Sequence, residues 1–408
     1  MQELEGQAEN VQSLPVLSEK QGASGLNRRL IWIMAIACGL TAANIYYSQP
    51  LLVAMAHSFG ASESSAGFIA TVTQLGFALG LVLLVPLGDI FKRRNLISGA
   101  MVALVLTLIA IALAPSLAVL AVVSLAMGVA NVVPQMIVPF AASLARPEER
   151  GRVVGTIMSG LLIGILLART ISGFVGAYLG WRAMYWIAAV LMALLLITLY
   201  FSLPQEAPRE RISYWHLLRS LWGLLLRERV LHEVSIFGAL TFASFQVFWV
   251  TLTFFLSSPL YHFGSDVIGL FGLVGVVGAL TATLVGKRAD QSNPRVITGL
   301  MLATVLLTYV VFWFAGQWLW GLILGVILLD LGTQGAHISN QTRIYARPQA
   351  IHSRLNTVYM FSYFIGGSFG SALGTYAWSV AGWLGVCALG VVLMVLALGM
   401  YLLRSRQQ

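Results

Sequence analysis

Residues 64–94 read SSAGFIATVTQLGFALGLVLLVPLGDIFKRR. No charged side chain occurs from 64 to 88; then Asp89, Lys92, Arg93 and Arg94 follow within one short loop. A helix needs about 20 apolar residues to cross roughly 30 Å of hydrocarbon, and this run supplies them. Inside lipid every backbone N–H and C=O must be satisfied by the chain itself, so the run is a helix. A membrane β-barrel would instead alternate apolar and polar residues over about ten positions, and no such alternation occurs. The basic cluster behind the run is the kind of loop that stays on the cytoplasmic side.

The same pattern recurs along the chain. It predicts spans 1–6 near 30–56, 64–87, 95–114, 116–142, 152–179 and 182–203. Spans 7–12 follow near 231–257, 265–286, 296–315, 318–343, 354–379 and 382–403. Charged residues make up 10% of the 408 positions and hydrophobic ones 58%, whereas a soluble domain carries about 25% charge. An ordinary soluble protein is thereby excluded. The net charge of +9 is a matter of topology. Of the 24 Lys and Arg, all but Arg169 and Arg182 fall in alternate loops and the termini, which places both termini in the cytoplasm and argues against a nucleic-acid-binding patch. Trp181, Trp313, Trp318, Trp320, Trp378 and Trp383 gather at outer span ends, where interfacial anchors belong.

Residues 1–27 carry four glutamates and no apolar core, and read as a disordered cytoplasmic tail. A bundle of six helices over 28–203 is followed by a polar linker, 204–230, whose middle alternates apolar and basic residues at helical spacing. An amphipathic helix on the inner membrane surface is the simplest reading of that linker. A second bundle occupies 231–403, and 404–408 form a cytoplasmic C-terminus. The two halves repeat. Asp89 and Asp290, Pro147 and Pro348, and Gly173 and Gly374 share one offset, and Ser48-Gln49-Pro50-Leu51, read as the end of span 1, is echoed by Ser257-Ser258-Pro259-Leu260 after span 7. Such duplication puts a transport pathway on the pseudo-symmetry axis near the bilayer midplane.

The loop Gly88-Asp89-Ile90-Phe91-Lys92-Arg93-Arg94 resembles the signature of the major facilitator superfamily between spans 2 and 3. A weaker copy, Gly286-Lys287-Arg288-Ala289-Asp290, falls between spans 8 and 9. The resemblance covers residues 28–406. It implies an all-α membrane protein with twelve transmembrane helices in two six-helix pseudo-symmetric bundles, the major facilitator fold, in which spans 1, 4, 7 and 10 line a central cavity. The first copy departs at Ile90 and Lys92, where Arg and Gly are usual. Drug/proton antiporters of the superfamily carry an Arg in span 4 and Gly-Pro in span 5; here the matching stretches read Ser124-Leu125-Ala126-Met127-Gly128 and Gly164-Ile165-Leu166-Leu167-Ala168-Arg169. Asn44-Ile45-Tyr46-Tyr47-Ser48-Gln49-Pro50 is similar to a bacterial sub-branch assigned to efflux, which implies a multi-pass protein of the bacterial inner membrane. A carboxylate at an inner helix end can sit on the positive N-terminus of another helix. Asp89 with Arg93 is therefore expected to face the start of span 11 near Arg354, and Asp290 the start of span 5 near Arg152, as a gate. The alternative is that these charges only fix topology.

Polar groups at mid-span carry the functional reading. Asn44, Asn131, Gln246 and Asp330 sit near the midpoints of spans 1, 4, 7 and 10. As a set they suit a polar solute; singly, each could equally be interhelical glue. Arg169 and Asp330 are the only charges read as deep in spans. Each would cost roughly 2.5–3.5 kcal/mol facing lipid, so they pair with one another or face a cavity. Tyr47 joins the expected substrate site, with Tyr46, Gln74, Trp249, Tyr359 and Tyr363 as secondary candidates. Gln334, His337, Asn340 and Gln341 make the inner half of span 10 polar, and Pro134 and Pro139 allow a bend beside Asn131. Gly269, Gly272, Gly275 and Gly278 are read as a packing face of span 8 against Gly164, Gly173 and Gly176 of span 5.

Enzyme signals are absent: His232-Glu233 has no second His at metalloprotease spacing, and no phosphate loop or nucleotide motif occurs. Neither cofactor nor metal is called for, and Cys38 and Cys387 lie in apolar spans. The expected partners are a small-molecule solute, protons and the bilayer, with the chain acting as a monomer. The leading expectation is proton-coupled efflux by alternating access. Uptake or exchange of an organic anion held by Arg169 is the second, and a membrane sensor that binds without flux is the third.

Overall fold

The computed structural model describes residues 27–146, 148–204, 214, 219, 221, 223–225, 228–289, 293–348 and 351–405. The expected N-terminal tail up to residue 26, most of the linker, Asp290 and residues 406–408 lie outside them. All regular structure among the described residues is helical. Single helices form span 2 (Glu63–Leu83), span 3 (Arg93–Ala112), span 5 (Arg150–Leu179), span 6 (Trp181–Ser202), span 7 (Arg229–Ser257), span 8 (Ser265–Ala289), span 9 (Pro294–Ala315) and span 10 (Leu319–Tyr345).

Nine segments among the described residues are long and apolar enough to cross a membrane. The difference from twelve has three local causes. Span 1 is broken into Arg28–Ala43 and Leu52–Ser58. The apolar part of span 8, Ser265–Thr281, is short. Spans 11 and 12 run together as His352–Ser405, bent by non-helical Ala381 and Gly382. The bend is a hairpin, because Tyr401 returns to the level of Gly299 at the start of span 9. Gly382 has φ +57° and Gly180, between spans 5 and 6, has φ +84°. Both lie in the left-handed region, where a residue without Cβ is at ease. Span 4 is also split, into Leu117–Ala130 and Val133–Leu144.

Within each half the same pair of helices packs backbone to backbone. A Cβ on Gly39 of span 1 would meet the Gly160 carbonyl of span 5, and one on Gly164 would strike Gly39. In the second half, Gly366 and Gly370 of span 11 lie against Ala239 and Ala243 of span 7. Helices in lipid gain little from burying apolar surface, so close van der Waals approach through small residues holds them together. The expected glycine face of span 8 is divided. Gly269 and Gly272 do meet span 5, at Gly173 and Arg169, but Gly275 and Gly278 meet Asp330 and Ile327 of span 10. Gly164 serves span 1 instead of span 8, because span 5 presents its inner glycines to its own bundle.

The two halves meet along spans 2 and 11 and along spans 5 and 8. Contacts run from the ends far from the chain termini down to mid-depth. Trp378 Nε1 donates to Glu63 Oε2 at 3.0 Å and Ser368 Oγ to the Thr71 carbonyl at 3.0 Å. Phe77 and Phe364 rings meet at 4.3 Å. Ser265 Oγ donates to Gly173 O at 3.0 Å and Thr170 Oγ1 to Gly269 O at 2.9 Å. On the terminus side a small cleft lies between the halves, lined by Pro86, Gly88, Arg93, Gln135, Leu221 and Arg354 among others. The halves are joined at the ends far from the termini and indented by this cleft on the terminus side.

The tryptophans divide accordingly. Trp313, Trp318 and Trp320 are exposed, as anchors should be. Trp181 and Trp383 are buried core residues: Trp181 Nε1 donates to Ser58 Oγ and Trp383 stacks on Phe255 at 4.0 Å. They follow the hairpin glycines directly, so the turn folds each ring back into its own bundle.

Candidate functional site

The site begins at the break in span 1. The helix ends at Ala43, the chain passes through turns from Asn44 to Ser48, and Gln49–Leu51 form one 3-10 turn before helix resumes at Leu52. Pro50 brings no N–H and its ring clashes with the carbonyl one turn before it, so an apolar run that looks continuous unwinds here. Asn44 partly repairs the end: its Nδ2 donates to the carbonyls of Leu40 at 3.3 Å and Thr41 at 3.1 Å. Span 4 breaks at Asn131 and Val132, just before Pro134. The two breaks face each other, with Asn44 Nδ2 donating to Asn131 Oδ1 at 3.5 Å.

The span 1 break delivers Gln49 to Arg169. Arg169 Nε donates to Gln49 Oε1 at 2.6 Å, and Gln49 Nε2 donates across to Gln246 Oε1 of span 7 at 3.4 Å. Thr253 Oγ1, also on span 7, donates to the Gln49 carbonyl at 2.8 Å. The guanidinium carbon lies 3.9 Å from the Trp249 ring centroid, 4.8 Å from Tyr46 and 5.8 Å from Phe245. Aromatic faces attract a desolvated cation electrostatically, which makes a buried arginine tolerable at 3% exposure. Its Nη2 has no hydrogen-bond partner.

Asp330 comes from the other half and is 2% exposed. Its carboxylate lies on the span 8 backbone: a Cβ at Gly275 would stand 3.1 Å from Oδ2. Oδ2 has no partner. Of the two arrangements the sequence left open, the direct ion pair is not the one seen. The carboxylate and Arg169 are electrostatically coupled, but the salt bridges among the described residues, all within 4.0 Å, do not include them. Further buried polar atoms lack partners: Trp249 Nε1 beside the guanidinium, Gln246 Nε2 next to Gln49, and, on spans 1, 2 and 4, Asn44 Oδ1, Gln74 Oε1 and Asn131 Nδ2. Buried polar groups are nearly always satisfied in a folded protein, so a concentration of unmet ones marks a place for water or solute.

Arg169 and Gln246 are thus joined across the halves through Gln49, and Asn44 and Asn131 pair within the first half. Tyr47 lies near Tyr185 of span 6 instead, and the break turns Tyr46 toward Arg169 in its place. Gln49, which the sequence offered only within a repeat and a family-like stretch, links Arg169 to span 7. Its one visible signal is a polar residue before proline inside an apolar run. Tyr359 and Tyr363 lie lower, where Tyr359 Oη is 2.9 Å from His337 Nδ1 and Tyr363 stacks on Phe242 at 4.0 Å. Asp330, Thr333, His337 and Asn340 share one face of span 10 at helical spacing.

Of the expected gate, only the arginines are described. The side chain of Asp89 and all of Asp290 lie outside the described part. Arg93 Nη1 donates to Ser143 Oγ at 3.0 Å within its own half, Arg354 borders the cleft opposite Gly88, and Arg152 is exposed. A third deep charge escaped the sequence. Glu233 is 5% exposed and paired with Arg343 at 2.8 Å and Arg295 at 3.1 Å, tying spans 7, 9 and 10 together at the terminus side.

A bundle of broken and unbroken helices, with unmet polar groups at mid-depth between two repeated halves, is the architecture of a membrane transporter. Residues 34–348 match the family model of the Major Facilitator Superfamily, and the chain belongs to that family. It is 44% identical to the uncharacterized transporter YgaY of Escherichia coli O157:H7, over 91% of this chain and 95% of that one. Transporter SCO4007 of Streptomyces coelicolor is 32% identical over 92% and 88%. Among solved structures, nucleoside transporter NupG superposes with a TM-score of 0.72 at 16% identity, covering 91% of this chain and 98% of that one. The human organic anion transporter MFSD10 gives 0.70 at 15% identity, covering 92% and 99%. The protein is a multi-pass membrane transporter of this superfamily and not an enzyme.

Proposed function

We propose that the protein exports a small organic solute across a bacterial inner membrane by alternating access, in exchange for protons. The observation that supports this most is the pair of buried charges, Arg169 from one half and Asp330 from the other, held at mid-depth without closing on each other. A static structural pair would be expected to close, because a buried ion left without a partner costs several kcal/mol. With both termini in the cytoplasm, the joined side is external and the cleft opens inward. A solute then enters from the cytoplasm, meets Gln246, Asn131 and Asn44 beside Arg169, and displaces a proton from Asp330. The halves rock about spans 2, 5, 8 and 11, and the proton returns from outside after release. Arg93 and Arg354 around the cleft, with Asp89, Asp290 and Arg152, would latch the inner side when it closes. The chain acts as a monomer in this scheme.

The test is flux in proteoliposomes against a panel of radiolabelled solutes, with and without an imposed proton gradient. Accumulation that follows the gradient is expected; flux indifferent to it would contradict the coupling. A second reading, uptake or exchange of an organic anion, is favoured by the unpartnered Nη2 of Arg169 alone. It predicts anion exchange unchanged by Asp330→Asn.

A further inference from the structure

The gap between Arg169 and Asp330 is built by the backbone. Both residues stand on one face of span 8. A Cβ at Gly272 would lie 3.0 Å from Arg169 Cβ, and one at Gly275 would lie 3.1 Å from Asp330 Oδ2. Three residues on a helix advance by about 4.5 Å, so the root of the arginine side chain and the aspartate carboxylate sit nearly one turn apart on a shared wall. Gln49 then draws the guanidinium toward span 1, and Trp249 covers its face at 3.9 Å. The arginine cannot swing to the carboxylate without losing both contacts. What remains is a donor, Arg169 Nη2, and an acceptor, Asp330 Oδ2, each buried and each without a partner.

We infer that the solute is a small zwitterion on the scale of an amino acid, with its carboxylate on Arg169 Nη2 and its ammonium on Asp330 Oδ2; this rests on the transport reading above. A solute with one charge leaves the other buried ion unmatched, and a neutral solute leaves both. A zwitterion satisfies the two together and brings no net charge into the membrane. Its second carboxylate oxygen has Trp249 Nε1 beside the guanidinium, and Gln246 Nε2 next to Gln49, as unmet donors. Tyr46, Phe245 and Trp249 around the guanidinium offer apolar surface to the rest of the molecule. The geometry also gives the exchange a physical basis: the ammonium and a proton compete for the same carboxylate oxygen.

The test is equilibrium binding to the full-length protein in lipid nanodiscs, with no flux and no gradient. The probes are the proteinogenic amino acids, followed by the decarboxylated amine and the N-acetyl derivative of the best binder. At least one amino acid should bind, and each derivative should bind at least about tenfold more weakly, since each loses a charged hydrogen bond. Asp330→Asn should bind the amino acid no better than the wild type binds the N-acetyl derivative, and Arg169→Gln no better than it binds the amine. Should a variant fail to fold, the three ligands on the wild type still decide. An N-acetyl derivative bound as tightly as its amino acid, or saturating amino acids without any binding, would overturn the proposal. Proton-driven flux of some other solute would meanwhile stand, so the two readings fail separately.

Discussion

The halves of the molecule share a scaffold and differ in how they present chemistry. Glycine contacts join spans 1 and 5 at Gly39 and Gly160, and spans 7 and 11 at Ala239 and Gly366, in matching fashion. Yet spans 1 and 4 are broken at Asn44 and Asn131, whereas spans 7 and 10 run unbroken as Arg229–Ser257 and Leu319–Tyr345. Prolines make the difference: Pro50, Pro134 and Pro139 lie in the first pair, and none lies in the second. The N-terminal half therefore offers loosened backbone and short amides. The C-terminal half offers Gln246 and Asp330 on rigid rails. Duplication supplied the frame, and proline placement made one half of it compliant.

The comparison breaks most visibly if a proline enters the rigid half. Leu329→Pro, one residue before Asp330, should cost about 3 kcal/mol or more and abolish accumulation of folded protein in the membrane. Detergent-solubilised yield and a monodisperse gel-filtration peak are the readout, and wild-type yield would remove the distinction between the halves. The next largest effect belongs to Arg169, which the compliant half holds through Gln49. Arg169→Lys keeps the charge but loses the fork and the flat stacking face, so solute affinity should fall by about tenfold, measured by binding in nanodiscs. Unchanged affinity would mean that a bare cation suffices.

Gly275→Leu should follow, because its side chain must occupy the space of the Asp330 carboxylate. Loss of proton-driven flux is expected with yield reduced only severalfold. Gly155→Leu is the control, since nothing stands within 4 Å of a Cβ there. Smallest are the amides. Asn44→Ala, Asn131→Ala and Gln246→Ala should each leave the protein inserted and weaken binding by roughly threefold to tenfold, one neutral hydrogen bond apiece. If all three bind as the wild type does, these amides are interhelical glue.

Most of the frame was legible because span length and loop charge follow directly from the bilayer. The site was legible in part: Asn44, Asn131, Arg169, Gln246 and Asp330 stood out as polar interruptions of apolar runs. Gln49 did not, because hydropathy reads through a local unwinding and makes Gln49-Pro50 look like the end of a span. The sequence put Tyr47 ahead of Tyr46, since hydropathy does not show a break, and a break rotates every following side chain off helical periodicity. Glu233 escaped for a different reason. Near a helix end a charge reads as loop topology, and only the fold shows Arg295 and Arg343 converging on it. The glycine face of span 8 was recognised, but one face can serve two neighbours, and spacing does not say where one yields to the other.

The central claim is that Asp330 carries the exchanged proton across a site it shares with Arg169. Asp330→Asn mimics the neutral acid and cannot release a proton, while its size and its seat on Gly275 are retained. In proteoliposomes with an imposed proton gradient, the variant should fail to concentrate solute. With solute raised about tenfold or more to offset its weaker binding, the same vesicles should still exchange internal for external solute down its own gradient, because exchange requires no change of protonation. Accumulation by the variant against the solute gradient would contradict the account directly.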